Sequence, residues 1–171
     1  MRAFFRRSSS ILNPIRSRSP STSSIKMASN KIAFLDAPAT PLRIADAPMP
    51  EPGPNDVVIK NRAIAINPID YMQQATGYFL KNYPHVLGSD IAGTVHSVGS
   101  AVTKFKAGDR VVGHAWSFMT SKPQDGAYSL YTSLPAANSA IIPPGVDFKE
   151  AAVLPMAIDT ATFGLHLTLG L

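Results

Sequence analysis

The sequence predicts a mainly β fold of the α+β kind: an irregular, partly open β-barrel with short helices, closed by two C-terminal helices. Three observations predict it. Short Val/Ile-rich runs recur between regularly spaced glycines from Asn67 to Gly113, the pattern of half-buried strands bounded by turns. Fifteen prolines and eleven glycines favour many turns and short strands over a helical bundle. A helix-capping signal at Asp147 opens an alanine-rich C-terminal segment. With 45% apolar and 16% charged residues, the 171-residue chain can bury the core of one domain.

The elements follow in order. KIAFLD (31–36) reads as a strand and PLRIADAP (41–48) as its partner, with Ala37-Pro38-Ala39-Thr40-Pro41 as the turn. Pro48 to Pro54 is too proline-rich for a helix and reads as an extended loop. Asp56 to Ile66 alternates as a long half-buried strand. Asn67 and Pro68 precede a short helix over Ile69 to Ala75, ended by Gly77. Residues 90–98 and 109–116 form two more strands joined by an irregular connection. Gly93 inside the first suggests a bulge or a close backbone approach, and Gly108 a tight turn. Residues 126–134 and 138–143 read as further strands. Asp147 with Glu150 at N3 caps a short helix stopped by Pro155. Met156 to Leu169 then reads as one amphipathic helix, with Ile158, Ala161, Leu165 and Leu169 on its apolar side.

Charge is unevenly placed. The net +5 arises in the first 26 residues, which carry six Lys/Arg and no acid; from Met27 onward ten Lys/Arg face eleven Asp/Glu. The body therefore lacks the basic footprint of a nucleic-acid binder. The leader is rich in arginine and serine, the composition of a mitochondrial transit peptide. Matrix localisation is expected from it, or a cytoplasmic one if translation starts at Met27. No stretch approaches the ~20 apolar residues of a membrane span.

Chemistry is sparse on a bottom-up reading. With no cysteine, disulfides, thiolate catalysis and cysteine-ligated metal are excluded. His85, His96, His114 and His166 show no ligand spacing, so no metal site is expected and each reads as structural or exposed. No G-x-S-x-G elbow occurs. Neither G-x-G-x-x-G nor a P-loop follows any strand, so no pyrophosphate cradle is present. Asp56, Asp109 and Asp147 are accounted for by turn and cap chemistry.

The run from Gly88 to Val111 meets G-x-D-x-x-G-x-V-x-x-V-G-x-x-V-x-x-F-x-x-G-D-x-V without a gap. With NPID at Asn67 to Asp70, it resembles the N-terminal, GroES-like domain of medium-chain dehydrogenase/reductases. GAYSLYT (126–132) resembles a further family strand, departing at Leu130 where an acid is usual. The resemblance covers roughly residues 30–171. Gly88-Ser89-Asp90 stands where the zinc alcohol dehydrogenases have Gly-His-Glu, so the resemblance is to the zinc-independent quinone and enoyl reductase branch.

That branch implies hydride transfer from NADPH to an enone, enoyl or quinone substrate, and a possible homodimer in the full-length form. Asn67 matches the family asparagine near the nicotinamide ribose, with Pro68 beside it; the same asparagine could be a turn residue. Tyr78, eleven residues on, matches a tyrosine that donates a proton or pairs with the enolate oxygen, a role suited to a neutral phenol; it could equally pack on Phe79 and Tyr83. Trp116 and Tyr128 are candidate substrate contacts, or core and strand residues.

Three segments result: a leader at 1–29, a GroES-like catalytic domain at 30–154, and a linker helix at 155–171 toward a nucleotide-binding half that these residues do not contain. The expected function is the catalytic half of an NADPH-dependent reductase, inactive by itself. The alternative is a non-enzymatic binding or assembly module on the same fold, or an inactive truncated product.

Overall fold

A computed structural model describes residues 29–170. The leader expected at 1–29 lies, Ser29 apart, outside the described residues. Its strands are β1 (Asn30–Leu35), β2 (Arg43–Ala47), β3 (Asp56–Ala65), β4 (His85–Val86), β5 (Asp90–Val98), β6 (Arg110–His114), β7 (Tyr131–Pro135) and β8 (Ser139–Ile141). They form a three-stranded sheet, β2-β1-β4, and a five-stranded sheet, β7-β3-β5-β6-β8. All the pairings are antiparallel. The sheets do not close into one barrel, and the mainly β expectation holds.

The two sheets are joined along residues 126–130, which sequence patterning places in one strand with 131–134. Ala33 N donates to Tyr128 O at 2.9 Å and Leu130 N to Lys31 O at 3.0 Å, while Asn61 N reaches Leu130 O at 2.9 Å. This stretch therefore serves β1 on one side and β3 on the other. Regular pairing begins only at Tyr131, where the Asn30 amide both donates to Tyr131 O and accepts from its N–H.

The core follows from the strand period of two. On β5, Ile91 and Val95 face a cluster with Val57, Ile59, Phe105 and Leu134. Ala92 points to the opposite face, against Ile142, Ala151 and Ala152. The last two belong to α3 (Phe148–Ala152), whose capping box is formed as its sequence predicts. At Gly93 the backbones of β3 and β5 approach closely. A Cβ there would strike the Lys60 carbonyl oxygen, and the register shifts beside it between Asn61 and Ala63. Only a glycine fits between the two backbones.

α1 (Pro68–Thr76) follows β3 and ends at Gly77 in the left-handed region, φ 73°. The C-terminal segment differs from the single helix its apolar spacing predicts. α4 (Pro155–Thr162) gives way to a π-helical stretch over residues 163–168. Leu169 N bonds Gly164 O at 3.2 Å, five residues back, and Thr168 Oγ1 turns onto Phe163 O. Gly164, with no side chain to resist it, sits at the widened turn. Ile158, Leu165 and Leu169 are exposed. Among the described residues no helix is long and apolar enough to cross a membrane.

Gly93→Ala is expected to lower the unfolding free energy by about 2–3 kcal/mol in urea titrations, through overpacking against backbone. Gly164→Ala, where an added Cβ meets nothing, should be neutral or stabilising by up to ~1 kcal/mol. Equal losses for the two would contradict the close-approach reading.

Candidate active site

The larger sheet gathers three strand ends at one edge. Ala65, the last residue of β3, pairs with Asp90, the first of β5, and Asp90 pairs with His114, the last of β6. Beyond those ends lie Asn67 at the N-cap of α1 and Trp116 at the start of α2 (Ser117–Thr120). Ala115 N closes onto Ser89 O at 2.6 Å, so Trp116 stands directly after that junction.

Two buried carboxylates organise this edge. Asp90 is fully buried. Its Oδ2 accepts from Asn67 Nδ2 at 3.0 Å and its Oδ1 from Met156 N, in the first turn of α4, at 2.9 Å. Burial pushes the Asp90 carboxyl above the usual range; the Asn67 and Met156 donors and the nearby His114 pull the other way, and Asp159 adds to the rise. His114 Nδ1 contacts Asp159 Oδ2, joining β6 to α4. Asp70, at N3 of α1, is 2% exposed. It accepts from Asn67 N at 2.7 Å and from Gly88 N at 3.1 Å. Burial raises its pKa as well, opposed by those two amides and by a hydrogen bond from the Tyr128 phenol.

The predicted site residues are therefore placed differently from one another. Asn67 is half-buried, fixed on both sides, and aligned with Asp70 and Asp90. Pro68 is exposed at N1 of α1. Tyr78 follows the C-cap at the far end of this nine-residue helix, about 14 Å along the axis from Asn67. It is 42% exposed and stacks on Phe79 at 4.1 Å between ring centroids. Trp116 is 38% exposed. Tyr128 has its ring laid over Gly88, where a Cβ would collide with it. Its phenol is raised above the ordinary value by burial, by the Asp70 charge and by the hydrogen bond to that carboxylate.

Two clefts flank these residues. A recess of ≈330 Å³ is lined by Leu42, Ile66, Tyr71 and Leu87, with Asp70 and Tyr128. A larger one of ≈570 Å³ runs between β8, the end of β6 and α4, with His114 and Asp159 on its wall. Of the predicted site residues only Tyr128 lines either. Among the described residues no three His, Asp or Glu side chains gather as a metal site.

Sequence reasoning did not find Asp70 as a hub, nor the His114–Asp159 contact. Asp70 carried one local signal, an acid three residues after an asparagine N-cap. His114 and Asp159 are 45 residues apart and carried none.

Residues 53–156 match the family model described as the alcohol dehydrogenase GroES-like domain. The dehydrogenase orsE of Emericella nidulans is 46% identical over 141 residues, 82% of this chain and 40% of that protein. The trans-enoyl reductase tndF of Aspergillus flavipes is 40% identical over 146 residues, 81% of this chain and 42% of that protein. Among solved structures, the quinone oxidoreductase from Coxiella burnetii matches with a TM-score of 0.70 at 31% identity, covering 82% of this chain and 45% of that one. A mycobacterial protein solved in complex with NADPH matches at 0.67 and 33%, covering 80% and 41%. The chain spans less than half the length of these curated relatives.

Tyr128→Phe tests the second carboxylate. It leaves the buried Asp70 charge one donor short and should cost about 1–3 kcal/mol near neutral pH. Because the folded-state pKa of Asp70 is raised, the penalty is absent well below the ordinary carboxylate value and grows as pH rises through the folded value. Urea titrations at pH 7 and near pH 4 should show the larger loss at pH 7. A loss independent of pH would assign the effect to packing alone.

Proposed function

The chain belongs to the medium-chain dehydrogenase/reductase superfamily through its alcohol dehydrogenase GroES-like domain, and on that premise we propose that it forms the catalytic-domain part of a zinc-independent, NADPH-dependent oxidoreductase. Its substrates in this reading are small molecules with an activated C=C bond or a quinone ring. The observation that carries the reading is the half-buried Asn67 amide, fixed by Asp70 and Asp90 where three strands of the larger sheet end.

The donor set fits one end of the cofactor and not the other. A fixed amide beside exposed Pro68 suits the hydroxyls and carboxamide of the nicotinamide end. No glycine-rich turn is available for the pyrophosphate, which the reading assigns to a nucleotide-binding half that these residues do not contain. Zinc does not fit either, because Asn67 and Ser89 offer an amide and a hydroxyl where thiolate or imidazole ligands would be needed.

When bound, NADPH supplies a hydride to the β-carbon of the substrate. The task of this chain is to steady the charge that gathers on the substrate oxygen, and to provide a proton. Tyr78 suits that task, since its phenol is exposed and carries an O–H that can donate. Closing the distance from Tyr78 to Asn67 falls to the substrate, which would lie along α1. Tyr128 is committed to Asp70, so it offers the recess an aromatic wall rather than a proton. Trp116 offers a second apolar surface on the Asn67 side. The exposed apolar side of the C-terminal helical segment favours a second reading, an assembly module that uses this fold without chemistry.

With the nucleotide-binding half present, NADPH oxidation should depend on an added enone, enoyl thioester or quinone. Tyr78→Phe should then lower kcat by roughly 10²-fold with little change in the Kd for NADPH. No acceptor-dependent oxidation would overturn the reductase reading; full activity in Tyr78→Phe would remove only the role given to the phenol.

A further inference from the structure

We propose that Asp90 is a positioning residue for the Asn67 amide: it holds Nδ2, and so fixes the orientation in which that amide meets the nicotinamide end of the cofactor. This rests on the functional reading above.

The argument begins with what a carboxylate can do. An ionised carboxylate only accepts hydrogen bonds, so the Asn67 atom facing Asp90 Oδ2 at 3.0 Å must be the donor. The amide orientation then follows from the network. The backbone from which this amide springs is fixed too, because Asn67 N is bound to Asp70 Oδ2 at 2.7 Å. An amide free to flip offers a donor or an acceptor with similar ease and discriminates little. One locked by a buried charge offers a single pattern and so sorts donors from acceptors. The nicotinamide end of the dinucleotide carries both.

Asp90 is suited to this by its surroundings. It is fully buried at the start of β5, so water does not compete for its oxygens. Its second oxygen takes Met156 N at 2.9 Å, which ties the first turn of α4 to the same carboxylate. The charged and titratable groups facing it are His114 across the β5–β6 pairing, Asp159 from α4, and Asp70 from α1. One carboxylate thus sets both the amide of the proposed cofactor contact and the seat of α4.

The side-chain amide of Asn67 reads this directly in 15N–1H spectra of the 171-residue chain. In the wild-type chain one Asn67 Hδ2 proton should stand downfield and move as pH crosses the Asp90 titration. With the nucleotide-binding half present, added NADPH should shift the pair further. In Asp90→Asn the downfield position should be lost, and the NADPH concentration giving half the shift should rise at least about tenfold; Asp90→Glu should recover part of both. An Asn67 amide unchanged in Asp90→Asn overturns the positioning role. So does a wild-type Asn67 side-chain amide with no downfield proton at neutral pH, a readout that stands even where the variant fails to fold. An amide that reorients in Asp90→Asn but never responds to NADPH overturns the cofactor reading of this edge.

Discussion

The architecture of the candidate site depends on keeping one carboxylate, Asp90, satisfied in a place water cannot reach. Removing a charge from water is costly, and the cost is tolerable only when fixed donors replace the solvent. Here the donors come from elements far apart in sequence: Asn67 at the start of α1 and Met156 at the start of α4. Each such hydrogen bond to a charged group contributes about 1.5–3 kcal/mol. Losing either element leaves the charge underfilled, so α1 and α4 must both dock at this end of the sheet. The raised pKa of Asp90 shows that its donors do not fully offset burial.

Asp70 applies the same constraint one turn away. It collects the N–H groups of Asn67 and Gly88 and the Tyr128 phenol, and so ties α1 to the loop before β5 and to the stretch that joins the two sheets. Asn67 lies between the two acids, its backbone held by one and its side chain by the other. The β3–β5 contact at Gly93 matters for the same reason. It sets the register that brings Ala65 beside Asp90, and hence places Asn67 within reach of that carboxylate.

Most strands and caps were legible in the sequence because they obey local rules. The alternation of β3, the glycine stop after α1 and the Asp147–Glu150 box each involve residues a few positions apart. The junction at residues 126–130 was not legible, since its form is decided by hydrogen bonds to Lys31, Ala33 and Asn61. The π-helical turn at Phe163 was hidden for another reason: apolar spacing does not register a single widened turn at Gly164. In the site, the family resemblance pointed to Asn67, whereas Asp90 stood only as an acid of the Gly88-to-Val111 pattern. Its true partners are 23 and 66 residues away, and no local pattern announces them. Tyr78 and Asn67 look adjacent as a spacing in sequence, yet a whole helix separates them.

The most direct test of this account is a double-mutant cycle between Asn67→Ala and Asp90→Asn, measured by urea unfolding of the chain at neutral pH. If one buried carboxylate organises this edge, the two changes should be strongly non-additive, with a coupling energy of about 1–3 kcal/mol. Additivity within roughly 0.3 kcal/mol would mean that Asn67 and Asp90 are merely neighbours, and that something else holds α1 against the sheet.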